Sequence, residues 1–567
     1  MSDSEDAAPR VAIGITFGNS YSSISHTTVE GRAEVIANEE GDRQIPSILS
    51  YIDGEEFQGT QAKAQLVRNA KNTVAYWRDF LGKSFESVDP TPCHQSAHPI
   101  AHDKTVAFSI HDSESEEPNN VTVSEITTRH LRRLKDSASD FLGKQVTAAV
   151  MTVPTNFAEV QKDALREAAQ NAGIEVLQFI NEPVAALLAY DARPEAKLAD
   201  KIVVVADLGG TRSDVAVIAS RGGVYTLLAT SHDWEVSGSK LDEALMDHFA
   251  KEFRKKYNTA GDPRKDERSL AKLRLESEAV KKALSLGSTA SFSVESLSAG
   301  IDFTATITRT RFELLARAHF AAITRLIQST VEKAGLDPLD VSEIVLCGGT
   351  SHVPRVATSL QSAFPEKTVV WAPATRTDAI NPSELVARGA AIQASLVADF
   401  DQEDIRESCH PVVTVTPHLK DAIGVLAVSG DERGHGKFVP IVLASTSVPV
   451  RRTAIINGPP AGGDVLIKIC EGSKRIHVEH KEKKEREPVE ADSDDSDAEL
   501  SEDEEPIKSE VWHTERVIAE AALRGVAKGA KIEVQINVGP DTGLTIVARE
   551  VGGKASVRGS VPAYEES

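Results

Sequence analysis

Apolar and polar residues alternate along the chain in two different ways. Between residues 11 and 395, short apolar runs are followed by amphipathic stretches of helical period, which is typical of an α/β domain. From residue 412 onward the chain contains short β-type runs without intervening helical patterns. The polar stretch 396–411 separates the two patterns and is predicted to be an interdomain linker. The sequence therefore predicts an α/β domain at 11–395 and an all-β domain at 412–567.

Two segments of the α/β part share one pattern of an apolar strand, a glycine turn and a second apolar strand. They are VAIGITFGNSYSSISH at 11–26 and KIVVVADLGGTRSDVAVIAS at 201–220. Backbone N–H groups of glycine turns can bind phosphate, and the repetition favours an internally duplicated fold. From the turns alone, two ordinary hairpins remain an equally good interpretation.

Clear helical patterns lie between and after these hairpins. The stretch 157–173 has an apolar stripe and ends at Gly173, which is a typical C-terminal signal. The helix predicted over 269–288 has four polar residues on one face, which could contact the ribose and base of a nucleoside or simply face solvent. These residues are Glu278, Lys281, Lys282 and Ser285.

A fourth segment, EIVLCGGTSHVPRV at 343–356, predicts a strand that runs into a glycine pair and then a helix. The glycines are Gly348 and Gly349, and Pro354 suits the first turn of the helix. Such a turn and helix N-terminus allow a nucleotide to approach the backbone closely. Each of the four segments is a weak signal by itself, but their order along the chain is more specific.

Composition narrows the function classes. Hydrophobic content of 41% and charged content of 26% are typical of globular proteins. The net charge of −22 argues against binding to DNA or to anionic membranes. No apolar run approaches the length of a membrane span, and the acidic tail 1–10 carries no apolar signal sequence. The scattered cysteines fit a reducing compartment without a disulfide framework. They are Cys93, Cys347, Cys409 and Cys470.

In their order along the chain and in their amino-acid residues, these motifs resemble the seventy-kilodalton heat-shock chaperone family. GITFGNSYSSI is similar to the family's GIDLGTTYSCV, DLGGTRSDV is similar to DLGGGTFDV, and residues 152–190 match the family over their full length. The resemblance implies an actin-like nucleotide-binding domain of two lobes, followed by a β-sandwich domain of the substrate-binding type. The family's helical lid is not expected, and ATP is the implied cofactor.

The resemblance also assigns the residues that would bind the nucleotide. They come from the two hairpins, the helix over 269–288 and the glycine pair. They are Gly18, Asn19, Ser20, Tyr21, Gly209, Gly210, Thr211, Arg212, Glu278, Lys281, Lys282, Ser285, Gly348, Gly349, Thr350 and His352. His352 replaces an arginine of the family, which leaves base stacking at this position open.

The hairpins depart from the family at positions that matter for chemistry. Thr16 replaces the aspartate that organises the hydration shell of magnesium, so the binding of Mg²⁺ is left open. Asn19 and Ser20 replace two threonines. Thr211 replaces the third glycine of the second turn, and Arg212 replaces the threonine that contacts the γ-phosphate.

Other positions of the family's catalytic site are retained or conservatively changed. The lysine that positions the attacking water falls on Arg78, which keeps the charge but not the geometry. Glu182, Asp207 and Asp214 are kept. Because phosphoryl transfer depends on placed charges and an oriented water, these changes should weaken hydrolysis more than binding. No efficient ATPase is expected, although Arg212 could instead act as an internal arginine finger.

The linker sequence DIRESCHPVVTV lacks the leucine run of the family, so coupling between the two domains should be altered. Within the family, this pattern is similar to the atypical chaperone subunits of fungal ribosome-associated complexes. That resemblance implies a stable heterodimer with a J-domain protein of the zuotin type, located at the ribosome in the cytoplasm. It also implies contact with nascent polypeptide and support of a second, active chaperone of the same family.

Two other functions remain open from the sequence. Retention of Glu182 and Asp207 favours an active, ATP-hydrolysing peptide-binding chaperone. A nucleotide-exchange factor is the third possibility, although divergent members of that kind tend to carry long helical extensions. The charged insertion at 476–510 is predicted to be a disordered loop. Ser496 and Ser501, each followed by a glutamate three residues later, are candidate phosphorylation sites within it.

Overall fold

A computed structural model describes residues 10–93, 95–111, 118–196, 199–409, 417–427, 437–479 and 507–563. The chain divides into two units, Met1–Thr414 (unit 1) and Val415–Ser567 (unit 2). Of the predicted acidic tail only Arg10 is described; the rest lies outside the described residues. None of the helices within the described ranges combines the length and the apolar character that crossing a membrane requires.

The N-terminal half of unit 1 (lobe I) is built on a mixed sheet with the strand order β12-β11-β1-β2-β3, in which β4 also pairs with β2. Two three-stranded sheets, β10-β9-β8 and β6-β5-β7, accompany it. The strands are β1 (Ala12–Phe17), β2 (Tyr21–Thr27), β3 (Ala33–Ile36), β4 (Ile45–Pro46), β5 (Ile48–Ile52), β6 (Glu55–Gln58), β7 (Thr73–Ala75), β8 (Pro99–His102), β9 (Thr105–Ile110), β10 (Asn119–Thr122), β11 (Ala148–Val153) and β12 (Glu175–Asn181). The helices are α1 (Gly59–Ala64), α2 (Val123–Leu142), α3 (Glu159–Asn171) and α4 (Glu182–Asp191).

The following part of unit 1 (lobe II) has a five-stranded sheet with the order β15-β14-β13-β18-β19 and a separate hairpin, β16-β17. The strands are β13 (Lys201–Leu208), β14 (Ser213–Arg221), β15 (Val224–Asp233), β16 (Thr289–Ser298), β17 (Ile301–Thr308), β18 (Glu343–Cys347) and β19 (Val369–Trp371). The helices are α5 (Gly238–Lys256), α6 (Glu267–Leu286), α7 (Arg309–Leu315), α8 (Arg317–Lys333), α9 (Pro354–Ala363), α10 (Leu385–Val397) and α11 (Gln402–Ser408).

The main sheets of the two lobes repeat one topology. In lobe I, β1 pairs antiparallel with β2 and parallel with β11. In lobe II, β13 pairs antiparallel with β14 and parallel with β18. Each sheet packs against its own cluster of buried apolar side chains. The predicted internal duplication is therefore confirmed, with each glycine hairpin forming the first two strands of its lobe.

Helices α4 and α10 pack together between the two main sheets. Their buried residues form one apolar cluster with side chains of β13 and β18. At the crossing, Gly389 of α10 lies so close to the backbone of α4 that a Cβ atom there would overlap the Ala185 carbonyl. A residue without a side chain is therefore required for the two helices to approach this closely.

The predicted helices form where the sequence signals place them. The stretch 157–173 contains α3, and Gly173 follows it with a positive φ of 76°. The stretch 269–288 forms α6, whose N-cap Asp266 accepts a hydrogen bond from the Ser269 N–H. Pro354 occupies the first turn of α9, as predicted.

The predicted linker 396–411 contains more regular structure than the polar pattern indicated. Helix α10 extends to Val397, and α11 occupies residues 402–408. Phe400 and Ile405 pack against buried residues of β11, β12 and α10. These two apolar residues in a polar stretch explain why this segment folds onto lobe I. The sequence interpretation missed them because they are widely spaced.

The described residues of unit 2 form two four-stranded antiparallel sheets, with the orders β21-β20-β23-β24 and β22-β25-β26-β27. Buried residues from both sheets form one apolar core, which is the arrangement of a β-sandwich. Its strands are β20 (Ala422–Ala427), β21 (Lys437–Val442), β22 (Val450–Asn457), β23 (Gly463–Glu479), β24 (Ile507–Val526), β25 (Lys531–Val538), β26 (Leu544–Glu550) and β27 (Ser556–Val561).

The ends of the predicted disordered insertion at 476–510 are strands. Strands β23 and β24 pair continuously out to Glu479 and Ile507, and Lys474 and Glu510 form an ion pair of 2.9 Å across them. The prediction of disorder was therefore wrong for residues 476–479 and 507–510. The remaining residues of the insertion, with the candidate phosphorylation sites Ser496 and Ser501, lie outside the described residues.

Candidate nucleotide-binding site

A cavity of about 480 Å³ opens between the two hairpins of unit 1. Every residue that the sequence analysis assigned to the site lines this cavity, although the segments that supply them are far apart in the chain. They are Thr16, Gly18, Asn19, Ser20, Tyr21, Arg78, Glu182, Asp207, Gly209, Gly210, Thr211, Arg212, Asp214, Glu278, Lys281, Lys282, Ser285, Gly348, Gly349, Thr350 and His352. The structure thus brings the predicted residues together, while their contact with nucleotide stays a prediction.

The turns of the two hairpins face each other across the cavity. A Cβ atom on Gly210 would lie 2.6 Å from the Ser20 hydroxyl oxygen, so the backbone of the second turn approaches the first turn closely. The Asn19 amide donates a buried hydrogen bond of 3.1 Å to the Thr211 hydroxyl. Thr350, which follows the glycine pair, donates to the Gly209 carbonyl at 3.0 Å. These contacts fix the turns whose N–H groups could hold phosphate.

Arg78 lies at the inner end of the cavity between two carboxylates. Its guanidinium is 2.9 Å from Asp79 and 3.3 Å from Glu182, and its side chain is only 7% exposed. Since the burial of an unpaired guanidinium is costly, these two acids are what make its position possible. The Arg78 guanidinium is therefore engaged by protein groups.

Arg212 is held even more tightly. Its Nε and Nη2 atoms both donate to Asp214 at 2.7 Å, which is a bidentate pair. Nη2 also donates to the Asn156 side chain at 3.1 Å, and Nη1 lies 3.9 Å from Asp79. The ring of Trp234 lies 5.6 Å below the guanidinium. The arginine that replaces the family's threonine therefore has protein partners on several sides.

Two carboxyl groups at the inner end of the cavity, those of Glu182 and Asp207, have raised pKa values. Burial, reinforced by the negative charges of Asp207 and Asp214 and opposed by Arg78, raises the pKa of Glu182 to about 8. Burial and Asp214 raise the pKa of Asp207 to about 6, against the effect of the two arginines. A carboxyl group with such a pKa can carry a proton near neutral pH.

The described residues do not fit a magnesium ion coordinated directly by side chains. No group of three or more His, Cys, Asp or Glu side chains is arranged within the described ranges to hold a metal. The Thr16 hydroxyl oxygen is buried without a hydrogen-bond partner there, and it has no charge for the hydration shell of a cation. Asp214 has both carboxylate oxygens on Arg212. No step of the chemistry is therefore assigned to the metal.

A second polar cluster lies at the outer end of the cavity. The Glu278 carboxylate accepts hydrogen bonds from the Tyr21 hydroxyl at 2.6 Å and from Lys63 at 2.7 Å, and Lys282 is 2.7 Å away. Burial tends to raise the pKa of Glu278, but the surrounding lysines outweigh it and hold the pKa well below its usual range. Glu278 and Tyr21 belong to different lobes, so this cluster also joins the two lobes.

Lys281 and Ser285 are less available to a nucleotide than their positions on one face of the helix predicted. Lys281 forms an ion pair of 2.8 Å with Asp242 and donates to the Gly238 carbonyl at 2.9 Å. The Ser285 hydroxyl donates to the Lys281 carbonyl at 3.1 Å. For Lys281 to lie along a base, it would have to leave these partners.

The glycine-pair segment is positioned by close backbone contact. Gly348 has a φ of 81°, and a Cβ atom there would collide with the Asp207 side chain and the Leu208 carbonyl. A glycine is required for both reasons. His352 is 3.0 Å from the Ser383 hydroxyl through its Nε2 atom, which orients the ring at the edge of the cavity.

Several residues of the site were not predicted from the sequence. Asp79 and Asn156 contact Arg212, Lys63 contacts Glu278, and Tyr76 and Arg274 line the cavity. Tyr76 and Asp79 flank the predicted Arg78, and this proximity was the available signal for them. Lys63, Asn156 and Arg274 lie in separate segments, and only the folded arrangement of the lobes identifies them.

Comparison with known proteins agrees with this geometry. The family profile described as Hsp70 protein matches residues 12–429, and the chain belongs to the Hsp70 family. It is 42% identical to the ribosome-associated complex subunit SSZ1 of Saccharomyces cerevisiae, over 97% of this chain and 99% of that protein. It is also 42% identical to a heat shock protein 70 homologue of Schizosaccharomyces pombe, over 99% of this chain and 97% of that protein. Heat shock 70 kDa protein 14 of Danio rerio is 32% identical, over 82% and 89% of the respective lengths.

Proposed function

We propose that this chain is an ATP-binding subunit of a ribosome-associated complex that does not cycle through hydrolysis. It forms a stable heterodimer with a J-domain protein of the zuotin type in the cytoplasm. Through that partner it stands at the ribosome, where it supports folding of nascent chains by a second, active chaperone of the same family. The similarity to SSZ1 over nearly the full length of both proteins supports this role.

One observation carries the enzymatic part of the proposal: Arg212 is bound by Asp214 and Asn156. An arginine finger must direct its donors at the charge that develops on the transferred phosphoryl group. The Arg212 guanidinium has its Nε and one amino group committed to neighbouring side chains. Arg78 is likewise paired with acids, so it is poorly placed to orient an attacking water. ATP is therefore expected to be held and not turned over.

Single-turnover hydrolysis on the purified chain tests this, with bound nucleotide quantified in the same samples and with Mg²⁺ either present or chelated. We expect ATP to be retained intact for hours. Conversion to ADP within minutes would support the active, peptide-binding chaperone that Glu182 and Asp207 favour. A chain that binds no nucleotide in either condition would contradict the nucleotide-binding assignment itself.

The partner is tested separately by isolation of the chain from its native host under conditions that preserve ribosomes. We expect one J-domain protein in equimolar amount, and sedimentation with ribosomes that is lost when this partner is removed. A role as nucleotide-exchange factor would instead appear as faster ADP release from an active Hsp70 on addition of the purified chain. Sedimentation with ribosomes without any J-domain protein would contradict the heterodimer.

A further inference from the structure

The two hairpins depart from the family pattern at positions that contact the opposite lobe. Asn19 replaces a threonine in lobe I, and Thr211 replaces a glycine in lobe II. The Asn19 amide donates to the Thr211 hydroxyl at 3.1 Å, with both residues buried. A glycine at position 211 would have no side chain to accept this bond. Both partners of the contact are thus features of this chain and not of the family motif.

Arg212, the third departure, also contacts lobe I. From β14 and its turn, where Asp214 holds it, the guanidinium reaches Asn156 just after β11. It also approaches Asp79, which is itself paired with Arg78. The Arg212 side chain is 6% exposed. At that burial, a charge-assisted hydrogen bond is stronger than at the surface, and its loss would leave a buried group without a partner.

These contacts between the lobes are made by protein side chains. In the family motif, a small glycine and a threonine at the equivalent of 211 and 212 leave the phosphate as the group that both turns can bind. In this chain, protein side chains span the same gap between the turns. The lobes can therefore remain together whether or not a terminal phosphate is present.

We propose that Asn19, Thr211, Arg212 and Asn156 form an interlobe clasp that keeps the cavity closed independently of the γ-phosphate and slows nucleotide release. Arg212 is its central positioning residue, since it joins Asp214 of its own lobe to the opposite lobe. The clasp rests on the proposed function, because it deepens the nucleotide site assigned there. In this proposal, the hairpin substitutions hold the two lobes together, in addition to weakening hydrolysis.

The test measures dissociation of fluorescent ATP and ADP analogues from the full chain by stopped flow, with unlabelled nucleotide as competitor. In the native chain, we expect ATP and ADP analogues to leave at rates within about threefold of each other. The triple reversion Asn19→Thr, Thr211→Gly, Arg212→Thr should release both at least tenfold faster, with ADP leaving faster than ATP. Arg376→Thr is the matched control, because Arg376 forms an exposed pair with Asp378; its rates should equal the native rates.

Asn156→Ala removes the lobe I side of the clasp. This variant keeps the proposal testable if the triple reversion fails to fold. Dissociation should accelerate in Asn156→Ala and in Arg212→Thr, and the double variant should be no faster than the more affected single variant. Independent structural damage at the two positions would instead give effects on the dissociation rate that multiply in the double variant, and this result would contradict the clasp. Hydrogen exchange of the nucleotide-free chain provides a second readout, in which the turns at 18–20 and 209–212 should be protected in the native chain and exposed in the variants.

Two results would overturn the clasp. One is unchanged dissociation in the variants while nucleotide still binds, which leaves the proposed function intact. The other is a lack of exchange protection of the turns in the nucleotide-free native chain. Failure of the native chain to bind either analogue would instead overturn the proposed function.

Discussion

Each arginine at the inner end of the cavity is matched by acids, but the acids outnumber the arginines. Arg78 and Arg212 face Asp79, Glu182, Asp207 and Asp214 within one buried region. When both arginines and all four acids are charged, two negative charges are left over. Protonation of the most buried acid reduces this excess to one charge, and burial and the neighbouring acids raise the pKa of Glu182 to about 8.

Glu182→Gln should therefore change how stability depends on pH. Because the pKa of Glu182 is higher in the folded chain than in the unfolded one, its contribution is complete below about pH 4.5 and is lost as pH rises through about 8. The free energy of unfolding of unit 1 should fall over this range by at most about 1.4 kcal/mol per pH unit from this group. Glutamine should remove that slope and stabilise the nucleotide-free chain at pH 8 relative to the native chain.

Urea unfolding of the nucleotide-free chain at pH 5, 6.5 and 8 measures this effect. Glu159→Gln is the control, because Glu159 is an exposed acid on α3, and it should keep the native slope. Asp207 remains in both chains and contributes in a lower window, since its pKa is raised to about 6. Equal slopes for the native chain and Glu182→Gln would contradict the prediction.

At the scale of elements, the crossing of α4 and α10 sets the distance between the lobe sheets. Gly389→Ala would place a methyl group against the Ala185 carbonyl. Because neither a Cβ atom nor a backbone carbonyl can rotate away, one helix must move. Overpacking of this kind costs about 1–3 kcal/mol of folding free energy. We expect a lower melting temperature for unit 1 by several degrees.

Gly261→Ala is the matched control, because a Cβ atom at Gly261 meets open space and φ is not in the left-handed region. Its melting temperature should equal the native value within error. The same thermal scan compares all three chains. A melting temperature of Gly389→Ala equal to that of the control would show that the two helices can separate at no cost.

Most helices and strands could be predicted because the spacing of their apolar residues matches the face that is buried in the fold. Strand β22 is an exception that shows why others could not. Its inward-facing positions include Arg452, whereas Ile455 on the opposite face is 60% exposed. Arg452 and Ile455 therefore interrupt an otherwise alternating apolar pattern, and the strand forms because β25 supplies a complete ladder of partners. Pairing between strands overrides local pattern here.

In the candidate site, too, some residues could be predicted from the sequence and others could not. Glycine turns such as Gly209–Gly210 are recognisable because backbone approach to phosphate needs residues of that type in a short segment. Asn156 could not be predicted, because a single amide becomes important only when the end of β11 is placed opposite Arg212. Tertiary placement, and not local sequence, determines such contacts.

At the scale of the whole molecule, the two units have separate apolar cores, and the described residues that line the cavity belong to unit 1. Saturating ATP should therefore raise the unfolding temperature of unit 1 and leave that of unit 2 unchanged. A ligand at one hundred times its dissociation constant adds about 2.7 kcal/mol to the unit that binds it. Calorimetry of the full chain measures the shift.

Hydrogen exchange assigns the two transitions in the same experiment. Amides of β13 should gain protection on addition of ATP, whereas those of β25, in the core of unit 2, should not. An equal shift of both transitions would contradict independent unfolding of the units. GMP at the same concentration provides a ligand control that lacks both the adenine base and the polyphosphate.

The ribbon of β23 and β24 has a practical consequence. Because the ladder continues to Glu479 and Ile507, the points at which the charged segment leaves and re-enters the sheet are fixed side by side. Because the two ends are already held together, a longer segment between them costs little additional closure entropy, about 0.6 kcal/mol for each doubling of its length. The tip of this ribbon is therefore a permissive position for an internal affinity tag or fluorophore. A label there would allow the sedimentation test of the proposed function to follow the chain with both termini left unaltered.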